Sequence, residues 1–220
     1  MKWATWVFLG AGDLTLDMAD AVEARGESLE CIVVNQPISE PLAQKIAARR
    51  YLILSLEEYR QQAETVDVTN HIFGFVNPKK DEFLAEISKS KFPVKFHFEN
   101  LIHPSAVVPS GTKMGKGNFI GAQVAFGAGV SIGDFNYFNR ISSLGHDVVM
   151  GNRNFLAPGA IVCGNVKLGN NNFLGANCTV IDSVEISNEV TLGAGSVATR
   201  DLTQKGIYVG APAKPHKSLI

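Results

Sequence analysis

The chain has 220 residues, of which 45% are apolar and 19% are charged, and its formal net charge is −1. This composition supports a buried core and excludes wholesale disorder, and the balanced charge argues against a general nucleic-acid binder. No apolar run reaches the length of about eighteen residues that a membrane helix needs, so no membrane insertion is expected. Three cysteines without a CxxC pair predict no disulfide framework and no structural metal site, and they favour a cytoplasmic location.

Residues 1–100 alternate short apolar runs with helical patterns, which predicts a small parallel sheet covered by helices on both faces. The opening run resembles a short signal peptide, but acidic residues follow it directly, and we interpret it as the first buried strand. The predicted strands are Trp3–Leu9, Leu29–Val34, Tyr51–Leu54, His71–Val76 and Val94–Phe98. The predicted helices are Leu14–Ala24, Glu40–Arg50, a segment capped at Ser55, and Pro78–Ser88.

A glycine-rich turn, with Gly10 and Gly12, follows the first strand, where a phosphate often binds at a helix N-terminus. The third glycine of GxGxxG is replaced by Thr15, and Asp13 brings negative charge to the turn. The second strand ends at Asn35, whose amide can hydrogen-bond a base or a ribose. These residues are candidate contacts for a nucleotide-linked substrate, and a different acceptor or a degraded site is the open alternative.

Composition changes near residue 101, which predicts a second domain. Residues 1–101 contain 4 of the 21 glycines, and residues 102–220 contain 17. Every sixth residue from Ile102 to Ala198 is apolar, and nine of these 17 positions are followed by glycine. A fixed period of six is typical of a hexapeptide β-helix, and we assign the glycines to turns with positive φ. The predicted domains are 1–100, 101–203 and a C-terminal loop and tail, 204–220.

An asparagine followed by an aromatic residue recurs in every third hexad. This second period predicts a coil with three flat sides, an asparagine ladder along one side, and a column of aromatic residues beside it. We expect the column to point outward and to need cover from an oligomer. The pairs are Asn118-Phe119, Asn136-Tyr137, Asn154-Phe155 and Asn172-Phe173.

The whole chain resembles the sialic acid O-acetyltransferases and the bacterial nucleotide-amino-sugar N-acetyltransferases of the bacillosamine and perosamine type. The resemblance is carried by the hexads and by three motifs, which are Leu101–Ala106, Gly145-His146-Asp147 and Tyr208–Lys214. It implies a Rossmann-like domain joined to a left-handed parallel β-helix. It also implies a homotrimer that binds acetyl-CoA between neighbouring β-helices.

The same resemblance implies the catalytic residues. His146 takes the place of the family's general base, with Asp147 as the carboxylate after it and Asn139 near the acceptor amine. Gly164, three hexads after His146, matches the amide that binds the thioester oxygen. Related enzymes often carry a second histidine nine residues after the base, but Phe155 stands at that position, so that role is absent.

The CoA contacts implied by the resemblance are Gly164, Ala176 and Ala194 for the pantetheine arm, and Gly210, Pro212 and Lys214 for the adenine end. Arg200 and Lys205 are further candidates for phosphate contacts, with solvated surface charge as the alternative. The remaining histidines are interpreted as structural or solvated. They are His71, His97, His103 and His216.

The sequence therefore predicts an acetyl-CoA-dependent N-acetyltransferase acting on a nucleotide-linked amino sugar. Acetyl transfer needs a base for the attacking group and a donor for the oxyanion, and histidine and a backbone amide supply both. Two alternatives stay open, a sugar O-acetyltransferase of the sialic acid type and a β-helix scaffold that binds without reacting.

Overall fold

The computed structural model describes residues 5–62, 70–74, 83, 85–87 and 96–216. Its contacts divide the chain into two units, Met1–Leu101 and Ile102–Ile220. Each unit has a buried core of its own, and the two cores obey different sequence periods.

The first unit is a parallel four-stranded sheet with helices between the strands. Its order is β3-β2-β1-β4, so the first two connections step one way from β1 and the last strand lies on the other side. The elements are β1 (Thr5–Leu9), α1 (Thr15–Ala24), β2 (Ser28–Val34), α2 (Glu40–Ala48), β3 (Leu52–Ser55), α3 (Leu56–Gln62) and β4 (Asn70–Phe73).

These bounds agree with the first four predicted strands and the first three predicted helices to within a few residues. The strand predicted at Val94–Phe98 is wrong in its described part, where residues 96–98 form no strand and Phe98 makes only an isolated parallel bridge to His71. The cap predicted at Ser55 is present, since its hydroxyl accepts the Glu58 N–H at 3.2 Å and the Glu58 carboxylate accepts the Ser55 N–H at 2.7 Å. Of the helix predicted at 78–88, Phe83 and residues 85–87 are described and helical. Residues 3–4, 75–76 and 94–95 of three predicted strands lie outside the described residues.

The second unit is a parallel β-helix whose coils each have three short strands, and the predicted fold is confirmed. Face 1 contains β5 (Leu101–Ile102), β7 (Phe119–Ile120), β10 (Tyr137–Phe138), β13 (Phe155–Leu156), β16 (Phe173–Leu174), β19 (Val190–Leu192), β21 (Gly206–Val209) and β22 (Lys214–Pro215). Face 2 contains β8 (Ala125–Phe126), β11 (Ser143–Leu144), β14 (Ile161–Val162), β17 (Thr179–Val180) and β20 (Val197–Ala198). Face 3 contains β6 (Lys113–Met114), β9 (Ser131–Ile132), β12 (Val149–Met150), β15 (Lys167–Leu168) and β18 (Glu185–Ile186).

The hexad residues fill the interior of this prism, because the second residue of each two-residue strand points inward. Ile120, Phe138, Leu156, Leu174 and Leu192 on face 1 are all fully buried. Between β6 and β20, strands pair in register with the strand three hexads later, so one coil is three hexads long and each side chain stacks on its counterpart. The period of six in the sequence is therefore one side of the triangle.

Turns at three corners connect the faces. Corner 1 joins face 1 to face 2 and contains residues 121–123, 139–141, 157–159, 175–177 and 193–195. Corner 2 joins face 2 to face 3 and contains residues 127–129, 145–147, 163–165, 181–183 and 199–201. Corner 3 joins face 3 to face 1 and contains residues 115–117, 133–135, 151–153, 169–171 and 187–189.

The role predicted for the hexad glycines is wrong. Positive φ falls two residues later in the turns between residues 115 and 195, as at Asp147 (φ 56) and Asn165 (φ 58), and most of these residues are not glycine. The hexad glycine is needed instead because the next coil comes too close for a side chain. A Cβ at Gly145 would lie 2.6 Å from the Gly164 nitrogen, and a Cβ at Gly127 would lie 2.6 Å from the His146 nitrogen.

The aromatic column was predicted to be exposed, and for three of its four members this is wrong. Phe119, Tyr137 and Phe155 are buried in the chain, at 3%, 2% and 8% exposure, and only Phe173 is open, at 44%. Consecutive rings pack at centroid distances between 4.7 and 5.3 Å. The column therefore gives little support to the argument that an oligomer must cover it.

The predicted asparagine ladder is present and is structural. Asn136 and Asn154 are buried, and each side-chain oxygen accepts the backbone N–H of the next asparagine at 2.8–2.9 Å. Each side-chain amide also donates to the asparagine below and to a backbone carbonyl, as Asn154 does to Gly169 at 2.9 Å. The ladder satisfies polar groups that the prism would otherwise bury without partners.

Candidate active site

One column of residues at corner 2 contains the predicted base and its neighbours. The middle residue of each turn stacks on the middle residue of the next coil, because the face 2 strands pair in register from coil to coil. From the N-terminal end, the column is Ala128, His146, Gly164, Asp182 and Arg200. The predicted stacking of His146 beneath Gly164 is what the structure shows.

His146 and Asp147 contact each other directly within their turn. Asp147 has a φ of 56°, a left-handed conformation that aspartate tolerates better than most residues. This conformation brings Oδ2 of Asp147 to 3.0 Å from Nδ1 of His146. Both side chains are exposed, at 60% and 64%, so the imidazole is open to a substrate. A carboxylate on Nδ1 favours the tautomer with a proton there, which leaves Nε2 as a proton acceptor.

The other ring nitrogen of His146, Nε2, points at Gly164. A Cβ built on Gly164 would lie 2.5 Å from Nε2, 2.8 Å from Cε1 and 2.9 Å from Cδ2 of the imidazole. No side chain other than that of glycine therefore fits above the ring as it stands. The missing side chain is what allows the imidazole to lie against the Gly164 backbone, with Nε2 next to it.

The Gly164 amide has a partner that sequence analysis missed. Its N–H donates to Oδ1 of Asp182, the next residue up the column, at 3.0 Å. Burial and the nearby charge of Asp182 raise the pKa of the Cys163 thiol above its ordinary value. The place of Asp182 in the column could have been found from the sequence, because it lies two whole coils after His146.

Three residues predicted for the same site lie at another corner of the chain. Asn139, Ala176 and Ala194 are all at corner 1, and Gly195, next to Ala194, donates its N–H to the Ala176 carbonyl at 2.8 Å. Asn139 is 5% exposed, and its side-chain oxygen accepts the Arg140 N–H at 2.8 Å. Within one chain, the structure therefore does not bring these residues to His146.

The terminal loop packs on the coil that ends at corner 1. Gly210 donates its N–H to Oγ of Ser196 at 3.0 Å, and its carbonyl accepts the Val197 N–H at 2.9 Å. Pro212 follows a cis peptide bond, and Lys214 begins β22 as an exposed residue. The loop thus lies at the same corner as Ala194.

The two other cations considered for phosphate contacts differ in their surroundings. Arg200 is exposed at corner 2, in the column of His146. The ammonium group of Lys205 lies 3.7 Å from a carboxylate oxygen of Glu189 at corner 3, and both side chains are exposed. Arg200 is therefore placed on the edge of the prism that carries the base, and Lys205 is not.

In the first unit, the glycine-rich turn lies where β1 ends beside β4. This is the point at which the strand order reverses, and ligands of open parallel sheets bind at such points. The predicted glycine amides already have partners, because Gly10 donates to the Val33 carbonyl at 2.6 Å and Gly12 to Oγ1 of Thr15 at 2.7 Å. Thr15 is fully buried and donates to the Gly74 carbonyl at 2.6 Å. The residue at the third glycine position therefore ties the two strand ends together.

Asn35 at the end of β2 has an acidic neighbour that sequence analysis missed. Its side-chain amide donates to Oε2 of Glu86 at 2.8 Å. A carboxylate thus stands at the end of the second strand, although it comes from a helix much later in the chain. Only the contact reveals this pairing, because 51 residues separate the two side chains.

The remaining histidines have structural surroundings where they are described. His71 is 2% exposed, and its Nε2 forms a hydrogen bond with the Tyr59 hydroxyl at 3.0 Å. Burial lowers the pKa of His71 to about 4. Nδ1 of His103 accepts the Ser105 N–H at 3.0 Å. Within the described residues, the three cysteines are free, no group of three or more potential ligands could hold a metal ion, and no helix is long and apolar enough to cross a membrane.

Comparison with solved structures extends the likeness over almost the entire chain. A histidine variant of perosamine N-acetyltransferase from Caulobacter crescentus, solved with CoA and GDP-perosamine, is 25% identical, has a TM-score of 0.83 and matches over 99% of both chains. The acetyltransferase domain of PglB from Neisseria gonorrhoeae, solved with acetyl coenzyme A, is 20% identical and has a TM-score of 0.79. The match covers 97% of this chain and 100% of that domain. The chain is therefore similar to the hexapeptide-repeat acyltransferases over almost its entire length. The recognition made from the sequence is confirmed.

A third structure, WeeI from Acinetobacter baumannii, shares the fold at 18% identity and a TM-score of 0.76, over 98% of this chain and 100% of its own. No protein-family model and no curated protein matches the chain. The two-unit acyltransferase fold is therefore established by structure, at identities that leave the particular substrate to be argued from the residues.

Proposed function

We propose that the protein transfers the acetyl group of acetyl-CoA to the amine of a nucleotide-linked sugar. The observation that carries this proposal is the column at corner 2, where an imidazole with a carboxylate on Nδ1 aims Nε2 at the bare Gly164. The likeness to perosamine N-acetyltransferase, which was solved with CoA and GDP-perosamine, supports the same donor and the same class of acceptor.

His146 acts as the general base in this proposal. Nε2 takes a proton from the sugar amine as its nitrogen forms a bond to the thioester carbon, and Asp147 stabilises the imidazolium that results. The carbonyl oxygen becomes an oxyanion, and the Gly164 N–H is the donor nearest to it. When the carbon–sulfur bond breaks, the imidazolium returns the proton to the CoA sulfur. Atoms and charge balance without a metal or a second cofactor.

The acceptor nucleotide is assigned to the first unit. The sheet offers its switch point between β1 and β4 for a phosphate and, at the end of β2, the Asn35–Glu86 pair for a ribose hydroxyl or a base. Glu86 supplies the carboxylate that Asn35 itself lacks. We expect Glu86→Gln to raise the KM for the nucleotide sugar by about three- to tenfold, which corresponds to one hydrogen bond to a charged acceptor, without changing the KM for acetyl-CoA.

The homotrimer belongs to this proposal as well. Asn139, Ala176, Ala194 and the terminal loop lie at corner 1, whereas His146 and Gly164 lie at corner 2. A site that uses both sets forms only if corner 1 of one copy faces corner 2 of another. Light scattering coupled to size-exclusion chromatography measures the mass, and a monomer with full activity would refute a site shared between copies.

The direct test is a screen of purified protein with acetyl-CoA against nucleotide-linked amino sugars, following released thiol. We expect His146→Ala to lower turnover by roughly 10²–10⁴-fold while acetyl-CoA still binds. Full activity in that variant would refute the assignment of the base. A product cleaved by mild base would be an ester and would indicate O-acetylation, and no release of thiol with any acceptor would leave a binding scaffold.

A further inference from the structure

The amide that the proposed mechanism needs for the oxyanion is already occupied. The Gly164 N–H donates to the Asp182 carboxylate at 3.0 Å. One N–H makes a strong hydrogen bond in one direction only, so it cannot serve a carboxylate and a thioester oxygen fully at the same time. Asp182 and the acyl group of the donor therefore compete for a single site.

We propose that Asp182 is a positioning residue that occupies the Gly164 amide until an acyl thioester displaces it. The proposal rests on the function proposed above and deepens it. Free CoA has no thioester carbonyl to place at this amide, so the competition weakens the binding of acetyl-CoA and not that of CoA. After transfer, the Asp182 carboxylate returns to the Gly164 N–H, so that no other oxygen acceptor can bind there.

Displacement of Asp182 is feasible because the coil does not depend on this contact. Asp182 is exposed, so its carboxylate can turn into water by side-chain rotation alone. The backbone connection between the two coils remains, since Ser183 donates its N–H to the Gly164 carbonyl at 2.9 Å and β14 pairs with β17. The hydrogen bond to Gly164 can therefore be exchanged without opening the prism.

Corner 3 contains the same kind of contact without a base beneath it. There the backbone N–H of Lys116 donates to Asp134 at 2.8 Å, and that of Asn152 donates to Asn170 at 2.7 Å. These side chains only cap turns, so the chain offers a matched control. Asp134→Ala removes one carboxylate and one such hydrogen bond at an edge that lacks His146.

The experiment measures the dissociation constants of acetyl-CoA and of free CoA by calorimetry on the full-length protein. We expect Asp182→Ala to lower the constant for acetyl-CoA by about three- to tenfold, the value of one hydrogen bond, and to change that for CoA by less than about twofold. Asp182→Asn keeps an oxygen acceptor and is expected to change the ratio less than alanine does. Asp134→Ala is expected to change neither constant.

Three results would overturn the proposal. If Asp182→Ala leaves both constants unchanged, the carboxylate does not compete for the amide. If Asp182→Ala and Asp182→Asn tighten both ligands equally, the effect is repulsion of the anionic CoA and not occupation of the amide. If the folded wild-type protein binds neither ligand, the proposed function fails too, whereas binding of both with an unchanged ratio overturns the inference on Asp182 alone.

Discussion

Replacing Gly164 by alanine tests the column at corner 2 most directly. The added Cβ would lie 2.5 Å from Nε2 of His146, whereas an ordinary contact needs at least about 3.4 Å. The ring must therefore move by about 1 Å, and a misplacement of that size in a catalytic group costs on the order of 10²-fold in rate. We expect kcat/KM for acetyl transfer to fall about 100-fold or more.

The fold should tolerate this substitution. The backbone of Gly164 does not have a positive φ, and the atoms in the way belong to a side chain that is 60% exposed and can rotate outward. The expected loss of stability is at most about 1 kcal/mol, or roughly 2–4 °C in the thermal midpoint. Thiol release and circular dichroism measure the two quantities on the same samples.

Two other glycines give matched controls for this experiment. At Gly111 a Cβ meets nothing within 4 Å, so Gly111→Ala should change neither activity nor stability by much. At Gly145 a Cβ would lie 2.6 Å from the backbone nitrogen of Gly164, which cannot move aside, and Gly145→Ala should lower stability by about 1–3 kcal/mol. Wild-type activity in Gly164→Ala, or destabilisation as large as that of Gly145→Ala, would refute the placement of the imidazole beneath Gly164.

Two further predictions concern stability. Asn154→Ala removes buried hydrogen bonds to Asn136 and to two backbone groups, and it should lower the free energy of unfolding by about 2–4 kcal/mol. Asn152→Ala, at exposed corner 3, should lower it clearly less. Urea unfolding measures both values. Burial lowers the pKa of His71 to about 4, so that as the pH falls the unfolded chain binds a proton at His71 before the folded chain does. Stability is full above about pH 6.5 and falls by on the order of 3 kcal/mol between pH 6.5 and 4, and fluorescence reports it because both tryptophans lie in the first unit. A pH-independent midpoint over that range would contradict the burial of a neutral His71.

Much of the second unit could be predicted from the sequence because its geometry repeats at fixed intervals of residues. One side of the prism is one hexad and one coil is three hexads, so the position of His146 beneath Gly164 follows from counting. The reason why the hexads need glycine could not be found by counting residues. Their requirement comes from the spacing between coils, which places the backbone of Gly164 against Gly145, and only coordinates show that distance.

Contacts between residues far apart in the sequence were not predictable by periodicity. The Asn35–Glu86 pair joins side chains 51 residues apart in a unit with no repeat, and the partner of Asn35 is visible only in the fold. The residues assigned to the CoA site were likewise divided between corners 1 and 2, although the same counting rule would have separated them. Ala176 lies five hexads after His146, which is five sides of the prism and not a whole number of coils.

In the proposed mechanism, the column at corner 2 gives a regular β-helix one reactive position among many similar turns. At corner 3, the N–H of the middle turn residue is capped by a side chain from the next coil, as Asn170 caps Asn152. At corner 2 the residue above His146 is Gly164, which has no side chain, so the imidazole itself occupies the position that a Cβ would take. The residue above Gly164 is Asp182, which restores the cap one coil later. The imidazole of His146 therefore lies next to an N–H whose partner is an exposed side chain, and in the proposed mechanism a ligand competes for that N–H.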